Sequence, residues 1–349
     1  MENEKILNQN EAATEKTEKF TEEHEVRLMS PMRMVMRRFF RSKLSIVGLV
    51  MIVSLFLFCW LGPVFYNVWG ETEVDDSGKY EQTSSVIEYR DGADKVTFCQ
   101  IVESKKTINS LAPSSSDHLL GTDKMGFDVF TRLMYGGRVS LAVSFIAVFA
   151  VTLLGIIFGG IAGYFGGAID NVIMRICDVL MCLPGFPILL IISTLLDAAG
   201  VPLNQRIYFL MGFLTVFSWP GTARLVRGQI LSLREQEYMV AAEAMGYSVK
   251  RKIFKHLIPN VMPQLIVAMT LSLGSMILYE ASLSYLNMGV PAPYASWGGM
   301  INIVSSDINI LQNYFNVWGP PGICIILAVL GFNFVGDGLR DALDPKMRR

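Results

Sequence analysis

Ionisable side chains inside apolar segments are the first candidates for chemistry in this sequence. Glu280 lies in the stretch SMILYEASLSYLNMG, which carries no other charge. A charged side chain within a membrane is costly and typically marks an ion, proton or substrate pathway. We therefore take Glu280 as a candidate residue of a translocation path. Asp170, Asp178 and Asp197 fall near the ends of apolar segments, and we interpret them as span-end residues.

Motifs for common kinds of catalysis are absent. The sequence contains no HExxH, GxSxG or CxxC motif, and without a GxxxxGK[ST] phosphate loop the chain is not expected to bind or hydrolyse ATP itself. Its isolated cysteines indicate neither a zinc site nor a disulfide framework; they are Cys59, Cys99, Cys177, Cys182 and Cys324. Three scattered histidines are interpreted as solvated loop residues: His24, His118 and His256. We expect no metal and no cofactor.

The segment EYMVAAEAMGYSVKRKIFKHLIPN (237–260) is polar and basic, although it lies between two strongly apolar stretches. Its alanines favour a helix up to Gly246, where glycine is a natural stop. Ser248 can cap a second helix, and Pro259 marks its expected end. One face of that helix is apolar, with Val249, Ile253, Phe254 and Leu257. The pattern predicts two short helices around a glycine break.

A second motif, GIIFGGIAGYFGG, repeats glycine every four residues, so that the glycines line one helix face. Such ridges let a second helix backbone approach closely in lipid. The partner is either another helix of this chain or another subunit. The ridge consists of Gly155, Gly159, Gly163 and Gly167.

The composition requires a membrane setting for these motifs. Hydrophobic residues make up 52% of the 349 residues and mean hydropathy is +0.40, too apolar for a soluble chain. The net charge of -1 gives no indication of a nucleic-acid partner. Apolar windows long enough to cross a bilayer, which takes roughly 20 residues, occur at 44–65, 138–164, 172–195, 207–226, 261–286 and 320–335. The sequence predicts an all-α integral membrane protein with six transmembrane helices.

The placement of lysine and arginine sets the expected orientation. Basic residues cluster at 33–43, 224–255 and 340–349, whereas the connection at 287–319 has none. With six spans these clusters share one side, so we expect both termini and the 237–260 segment in the cytoplasm.

The parts outside the transmembrane core (138–337) differ in character. Residues 1–28 predict a disordered cytoplasmic tail, and 29–43 an amphipathic helix in the membrane interface. Residues 66–137 predict a small extracytoplasmic lobe, in which SSVIEYRDGADKVTFCQIVES alternates like a β-hairpin. This lobe either meets a substrate-delivering partner or shields the spans. Residues 338–349 form a cytoplasmic C-terminal tail.

The stretch 238–260 resembles the cytoplasmic signature loop of permease subunits from binding-protein-dependent ABC importers. That signature is Glu-Ala-Ala, three residues, Gly, nine residues, Ile-x-Leu-Pro. Val240, His256 and Ile258 depart from it in a way that is similar to the dipeptide and oligopeptide branch. The matching stretches RRFFRSKLSIVGLV, LGTDKMGFDVFTRLMYGGRVSL, YEASLSYLNMGVPAPYASWGGM and FNFVGDGLRDALDPK extend the resemblance from about Arg33 to the C-terminus, except for about 71–116.

The resemblance implies the type I importer permease fold and a pore-forming subunit that takes up dipeptides or oligopeptides across the bacterial plasma membrane. It implies four kinds of partner: a second permease subunit, two cytoplasmic ATPases that bind the ATP, an extracellular peptide-binding protein, and membrane lipid. The loop at 232–260 would dock on an ATPase as a coupling helix, through Ala241, Ala242, Glu243, Ala244, Gly246, His256 and Pro259. Alternatives are a nickel or metallophore permease of the same family, an ATPase-independent channel or receptor, and a helix pair resting on the membrane.

Overall fold

The computed structural model describes residues 31–78, 80–91 and 95–343. Its helices are α1 (Pro31–Phe39), α2 (Lys43–Phe65), α3 (Val129–Phe165), α4 (Gly167–Cys182), α5 (Gly185–Ala198), α6 (Leu203–Arg234), α7 (Glu237–Ala244), α8 (Val249–Tyr285), α9 (Trp297–Ser306), α10 (Ile308–Asn313) and α11 (Phe315–Leu343). Two strands, β1 (Tyr80–Asp91) and β2 (Lys95–Lys106), lie between α2 and α3. The predicted tail at 1–28, His24 and the last six residues lie outside the described residues.

Five of these helices are long and apolar enough to cross a membrane: α2, α3, α6, α8 and α11. They leave large apolar side chains exposed along their outer sides, among them Val50 (61%) and Phe149 (63%). Exposed apolar surface on this scale is stable in lipid and not in water. The buried core lies where α3, α8, α9 and α11 meet, around Trp297 and Ile277, both fully buried.

The third predicted span, 172–195, is a pair of helices with a break between them. Helices α4 and α5 cover this region, and they meet at a bend of 80°. Pro184 has no N–H for a helical hydrogen bond and restricts the residue before it, so Leu183 is extended (φ -77°, ψ 131°). Counting the bent pair as one broken span brings the spans in the described part of the chain to six.

Helices α3 and α6 pack through the predicted glycine ridge. A Cβ atom on Gly159 would lie 2.4 Å from the carbonyl oxygen of Ala223, and one on Gly155 would lie 2.5 Å from a methyl of Thr222. Gly163 faces the same helix. Because only glycine allows so close an approach, these three glycines serve packing within the chain. Gly167 instead is the first residue of α4, with φ +56°, and no described atom comes within 4 Å of the position that its Cβ would take.

Helix α1 lies at the end of α11. Phe39 is buried there, and its ring lies 3.3 Å from the position that a Cβ on Gly338 would take. Arg33 and Arg37 are exposed. A basic, exposed side opposite a packed aromatic residue suits a helix in the membrane interface, which stays a prediction.

The connection between α2 and α3 contains the hairpin that the alternating pattern predicts. Strands β1 and β2 are antiparallel, with Val86 opposite Gln100 and Tyr89 opposite Thr97. Residues outside the hairpin form a small compact unit at the start of α3, which we call the loop unit (66–78 and 107–128).

His118 is the centre of the loop unit, and its interpretation as a solvated residue is wrong. The side chain is 3% exposed. Its Nε2 lies 3.1 Å from Oδ2 of Asp75, and its Nδ1 lies 3.0 Å from Oδ1 of Asp128. The indole of Trp69 stacks on the imidazole at 4.6 Å. Because Asp128 also accepts a hydrogen bond from the backbone N–H of Thr131, this cluster fixes the beginning of α3.

Candidate functional site

Gly246 ends α7 with a φ of +70°, as the glycine break predicts. The backbone N–H of Tyr247 donates to the carbonyl of Ala242 (3.1 Å), and that of Gly246 donates to the carbonyl of Glu243 (2.9 Å). These two bonds form a Schellman motif, which satisfies carbonyls at the helix end. Among the described residues, no atom lies within 4 Å of a Cβ placed on Gly246. The backbone conformation, and not crowding, therefore requires glycine here.

Helix α7 is anchored on one side and exposed on the other. Met239 is buried in an apolar cluster with Ile230 of α6 and Leu257 of α8, and Ala242 is also buried. The exposed side carries Val240, Ala241, Glu243, Ala244 and Met245. Small and apolar residues left exposed on a firmly anchored helix provide a surface on which another protein can dock.

Helix α8 begins as the sequence predicts but does not end at Pro259. The hydroxyl of Ser248 caps it by accepting a hydrogen bond from the N–H of Arg251. A π-helical turn then covers Lys252–Leu257, where the N–H of Ile258 donates to the carbonyl of Ile253, five residues back. Because the wider turn changes the hydrogen-bond register just before Pro259, the missing N–H of the proline does not break the helix. The expected end at Pro259 is therefore wrong, and α8 continues to Tyr285.

The π turn also divides the apolar face predicted for this helix. Leu257 is fully buried, whereas Val249 is 41% and Phe254 is 64% exposed. Part of the predicted core-facing surface is thus available for contacts outside the chain.

His256 is partly buried, so its interpretation as a solvated residue is also wrong. Its imidazole stacks on Tyr247 with 5.8 Å between ring centroids. The guanidinium of Arg251 lies 4.0 Å from the centre of the same tyrosine ring. The Nε2 atom of His256 is buried without a hydrogen-bond partner among the described residues. This stacking connects the residue after Gly246 to α8. The signature motif does not include Tyr247, so the sequence alone did not reveal this contact.

Glu280 is fully buried in the C-terminal half of α8. Its Oε1 accepts a hydrogen bond from the hydroxyl of Ser284 (2.7 Å), which accepts one from the hydroxyl of Ser296 (3.2 Å). Ser296 in turn caps α9 through the N–H of Gly299. Oε2 has no partner in the described part of the chain. Within this chain, Glu280 therefore supports the beginning of α9 and is enclosed by packed residues.

The partners of Glu280 differ in how far the sequence reveals them. Ser284 lies four residues on, one helical turn away, and this spacing could have identified it. Ser296 belongs to another element, and nothing local connects it to Glu280. In the structure's described ranges, no group of three or more histidine, cysteine, aspartate or glutamate residues is arranged to hold a metal ion.

Comparison with known proteins identifies the family. Residues 155–349, more than half of the chain and including α7, α8 and Glu280, match the family model described as the binding-protein-dependent transport system inner membrane component. The chain belongs to this permease family. Residues 30–78 match a second model, described as the N-terminal TM domain of oligopeptide transport permease C. As a family member with several apolar helices, the chain is a multi-pass membrane protein.

Similar permeases cover nearly the whole chain. The oligopeptide transport system permease protein OppC of Bacillus subtilis (strain 168) is 36% identical over 315 residues, 90% of this chain and 89% of its own. The dipeptide transport system permease protein DppC of the same organism is 38% identical over 313 residues, 90% of this chain and 85% of its own. A solved chain of the MetNI methionine ABC transporter aligns over 61% of this chain and 96% of itself, at 21% identity and a TM-score of 0.47.

Proposed function

We propose that the chain is a pore-forming permease subunit of an ATP-driven importer for dipeptides or oligopeptides. The observation that carries this proposal is the similarity to peptide permeases at 36% and 38% identity over nine tenths of the chain. The extent of the match includes both the transmembrane helices and the segment around Gly246, so the proposal concerns the whole subunit.

The proposed role of α7 is to couple this subunit to an ATPase. Its exposed residues Val240, Ala241, Ala244 and Met245 would enter a groove on the ATPase, while Met239 holds it to α6 and α8. Movement of the ATPase is then transmitted to the transmembrane helices as a rigid-body displacement. His256 and Pro259 act within α8, the first by stacking on Tyr247 and the second beside the π turn.

The proposed assembly has two permease subunits, two cytoplasmic ATPases that bind and hydrolyse ATP, and an extracellular binding protein that delivers the peptide. Both termini and α7 lie in the cytoplasm, and the hairpin and the loop unit lie outside the plasma membrane. Basic residues near α7 and none at 287–319 support this orientation. Arg33 and Arg37 of α1 would contact anionic lipid headgroups.

Affinity purification from native membranes, with assays on the purified material, tests this proposal. We expect ATPase subunits and a second permease to co-purify, and proteoliposomes of the full assembly with the binding protein to take up labelled peptide only with ATP. The chain purified alone should neither bind nor hydrolyse ATP. Peptide passage without ATPase subunits would instead support a channel, and protection of the hairpin from protease added outside intact cells would contradict the orientation.

A further inference from the structure

A cavity of about 550 Å³ lies at the end of α8 remote from Gly246. It is enclosed by the segment before α3, the loop at 287–294, α9 and the start of α11. Its volume is in the range of sites that hold small molecules. Much of its wall is apolar, with Val129, Val290, Met300, Ile303 and Val317.

Three basic side chains also line the cavity, and two of them, Arg132 and Arg206, are held by contacts within the chain. Arg132 is 8% exposed, lies 3.6 Å from Asp123, and donates to the carbonyls of Pro293 and Tyr294. These bonds hold the 287–294 loop over the cavity. Arg206 is paired with the carboxylate of Asp197 and donates a hydrogen bond to the carbonyl of Val201, just before α6.

Lys124 is the basic residue whose partner can be exchanged. Its Nζ lies 3.6 Å from Oδ2 of Asp307, and the two side chains are 50% and 35% exposed. Exposed ion pairs of this kind contribute little to stability. Asp307 uses its other oxygen, Oδ1, to cap α10 through the N–H of Asn309 (3.0 Å). Lys124 can therefore leave Asp307 without uncapping that helix.

We propose that this cavity receives the carboxy-terminal residue of a peptide, with its carboxylate on Lys124 in place of Asp307 and its apolar side chain against Val290 and Ile303. A carboxylate suits an ammonium group at the rim, and an apolar side chain suits the wall behind it. This proposal rests on the proposed function, because it names the part of the transported peptide that this subunit holds.

Saturation-transfer NMR on the assembly purified with its natural subunits tests the proposal. The probes are the tripeptide Ala-Ala-Leu and the same peptide with a carboxy-terminal amide. We expect the free acid to bind more tightly than the amide, with saturation strongest on the leucine methyls. Lys124→Gln should lower the affinity for the acid to that for the amide, and Lys124→Arg should restore it.

Asp307→Asn should increase the affinity for the free acid, a result that misfolding would not produce. Asparagine still caps α10 but no longer competes for Lys124, so the affinity for the acid should rise by about two- to fivefold. Lys255→Gln, which removes an exposed lysine at the other end of α8, is the matched control and should change nothing.

Equal affinity of the wild-type assembly for acid and amide, or unchanged affinity in Lys124→Gln, would overturn the proposal. Peptide uptake by the same preparation is measured in parallel. Uptake without acid-selective binding contradicts the cavity proposal alone, whereas ATP-dependent uptake of no peptide contradicts the proposed function.

Discussion

Nε2 of His118 lies 3.1 Å from Oδ2 of Asp75, which joins two positions 43 residues apart inside the loop unit. The other ring nitrogen faces Asp128, the capping residue of α3. Each ring nitrogen of His118 lies within hydrogen-bond distance of a carboxylate oxygen, so the imidazole bridges the two aspartates. The end of α2 and the beginning of α3 are thus connected through one buried imidazole.

His118→Ala should destabilise the loop unit strongly, because it leaves two buried carboxylates without their common partner. Leaving a buried polar group without one of its hydrogen-bond partners costs about 1–3 kcal/mol. Limited proteolysis of the purified protein checks this, with new cleavage expected within 66–78 and 107–128. Asp117→Asn is the control, since Asp117 serves the unit through its backbone carbonyl. Equal protease resistance of wild type and His118→Ala would contradict the assigned role.

The loop unit should lose stability at acid pH through Asp75. Burial acts to raise the pKa of Asp75, but hydrogen bonds from Ser77, Asn109 and His118 outweigh it and hold that pKa well below its ordinary value. A depressed pKa contributes stability that is fully present above the unfolded value of about 3.9 and is lost as the pH falls through the folded value. The denaturant concentration at the unfolding midpoint should therefore decrease once the pH is below about 4. Above about pH 5, Asp75 should contribute little to any change in that midpoint.

Trp69 reports this loss directly, because its indole stacks on His118. Its fluorescence is obtained by subtracting the spectrum of a Trp69→Phe variant during denaturant titrations between pH 3 and pH 7. Asp75→Asn should be less stable at pH 7 and should show a weaker dependence on pH. The same slope in Asp75→Asn and wild type would assign the acid sensitivity to other groups.

Gly246→Val should impair coupling while the transmembrane helices still insert. At φ +70° a residue with a Cβ costs about 1–3 kcal/mol, and valine is among the worst. A loss of ~1.4 kcal/mol in the free energy of ATPase docking weakens the affinity tenfold. We expect normal membrane abundance, reduced co-purification of ATPase subunits and little peptide uptake.

Two variants calibrate the result for Gly246. Gly246→Asn should be milder, since asparagine tolerates this conformation, and Lys250→Ala, an exposed side chain on α8, should have little effect. Wild-type docking and uptake by Gly246→Val would show that the helix pair has no coupling role.

Neighbouring glycines in α3 should respond oppositely to alanine. In Gly159→Ala the new Cβ would lie 2.4 Å from a backbone oxygen of α6, so the two helices must separate. In Gly160→Ala the nearest atom is a methyl of Ile230 at 3.8 Å, an ordinary contact. Alanine also favours the helix by about 1 kcal/mol over glycine. Thermal unfolding in detergent should show a lower midpoint for Gly159→Ala and an unchanged or higher one for Gly160→Ala.

The features that sequence predicts well here depend on local patterns. Long apolar windows locate the straight spans, alternation locates the hairpin, and Gly246 announces its turn because few other residues adopt a positive φ. The signature also includes Ala241, which is exposed on α7, but it does not distinguish this residue from Ala242, which is buried.

The features that sequence misses depend on distant partners. Pro259 predicts a helix end, yet Leu257 packs with Met239 and Ile230, and this burial holds the helix together through a π turn. His118 looks like a solvated residue because its two aspartates are 43 and 10 positions away. For Pro259 and His118, the adjacent residues in the sequence do not indicate which distant residues they lie near in the fold.

The continuity of α8 through Pro259 has a mechanical consequence. Its 37 residues form a rod about 55 Å long, at 1.5 Å of rise per residue. The residues beside Gly246 and the loop over the cavity then lie at the two ends of one helix, which contains the π turn at Lys252–Leu257 and also Pro263. A displacement of Val249 is therefore carried by a continuous helix and not by a flexible linker. The stiffness of the π turn affects how much of this displacement reaches the other end of α8.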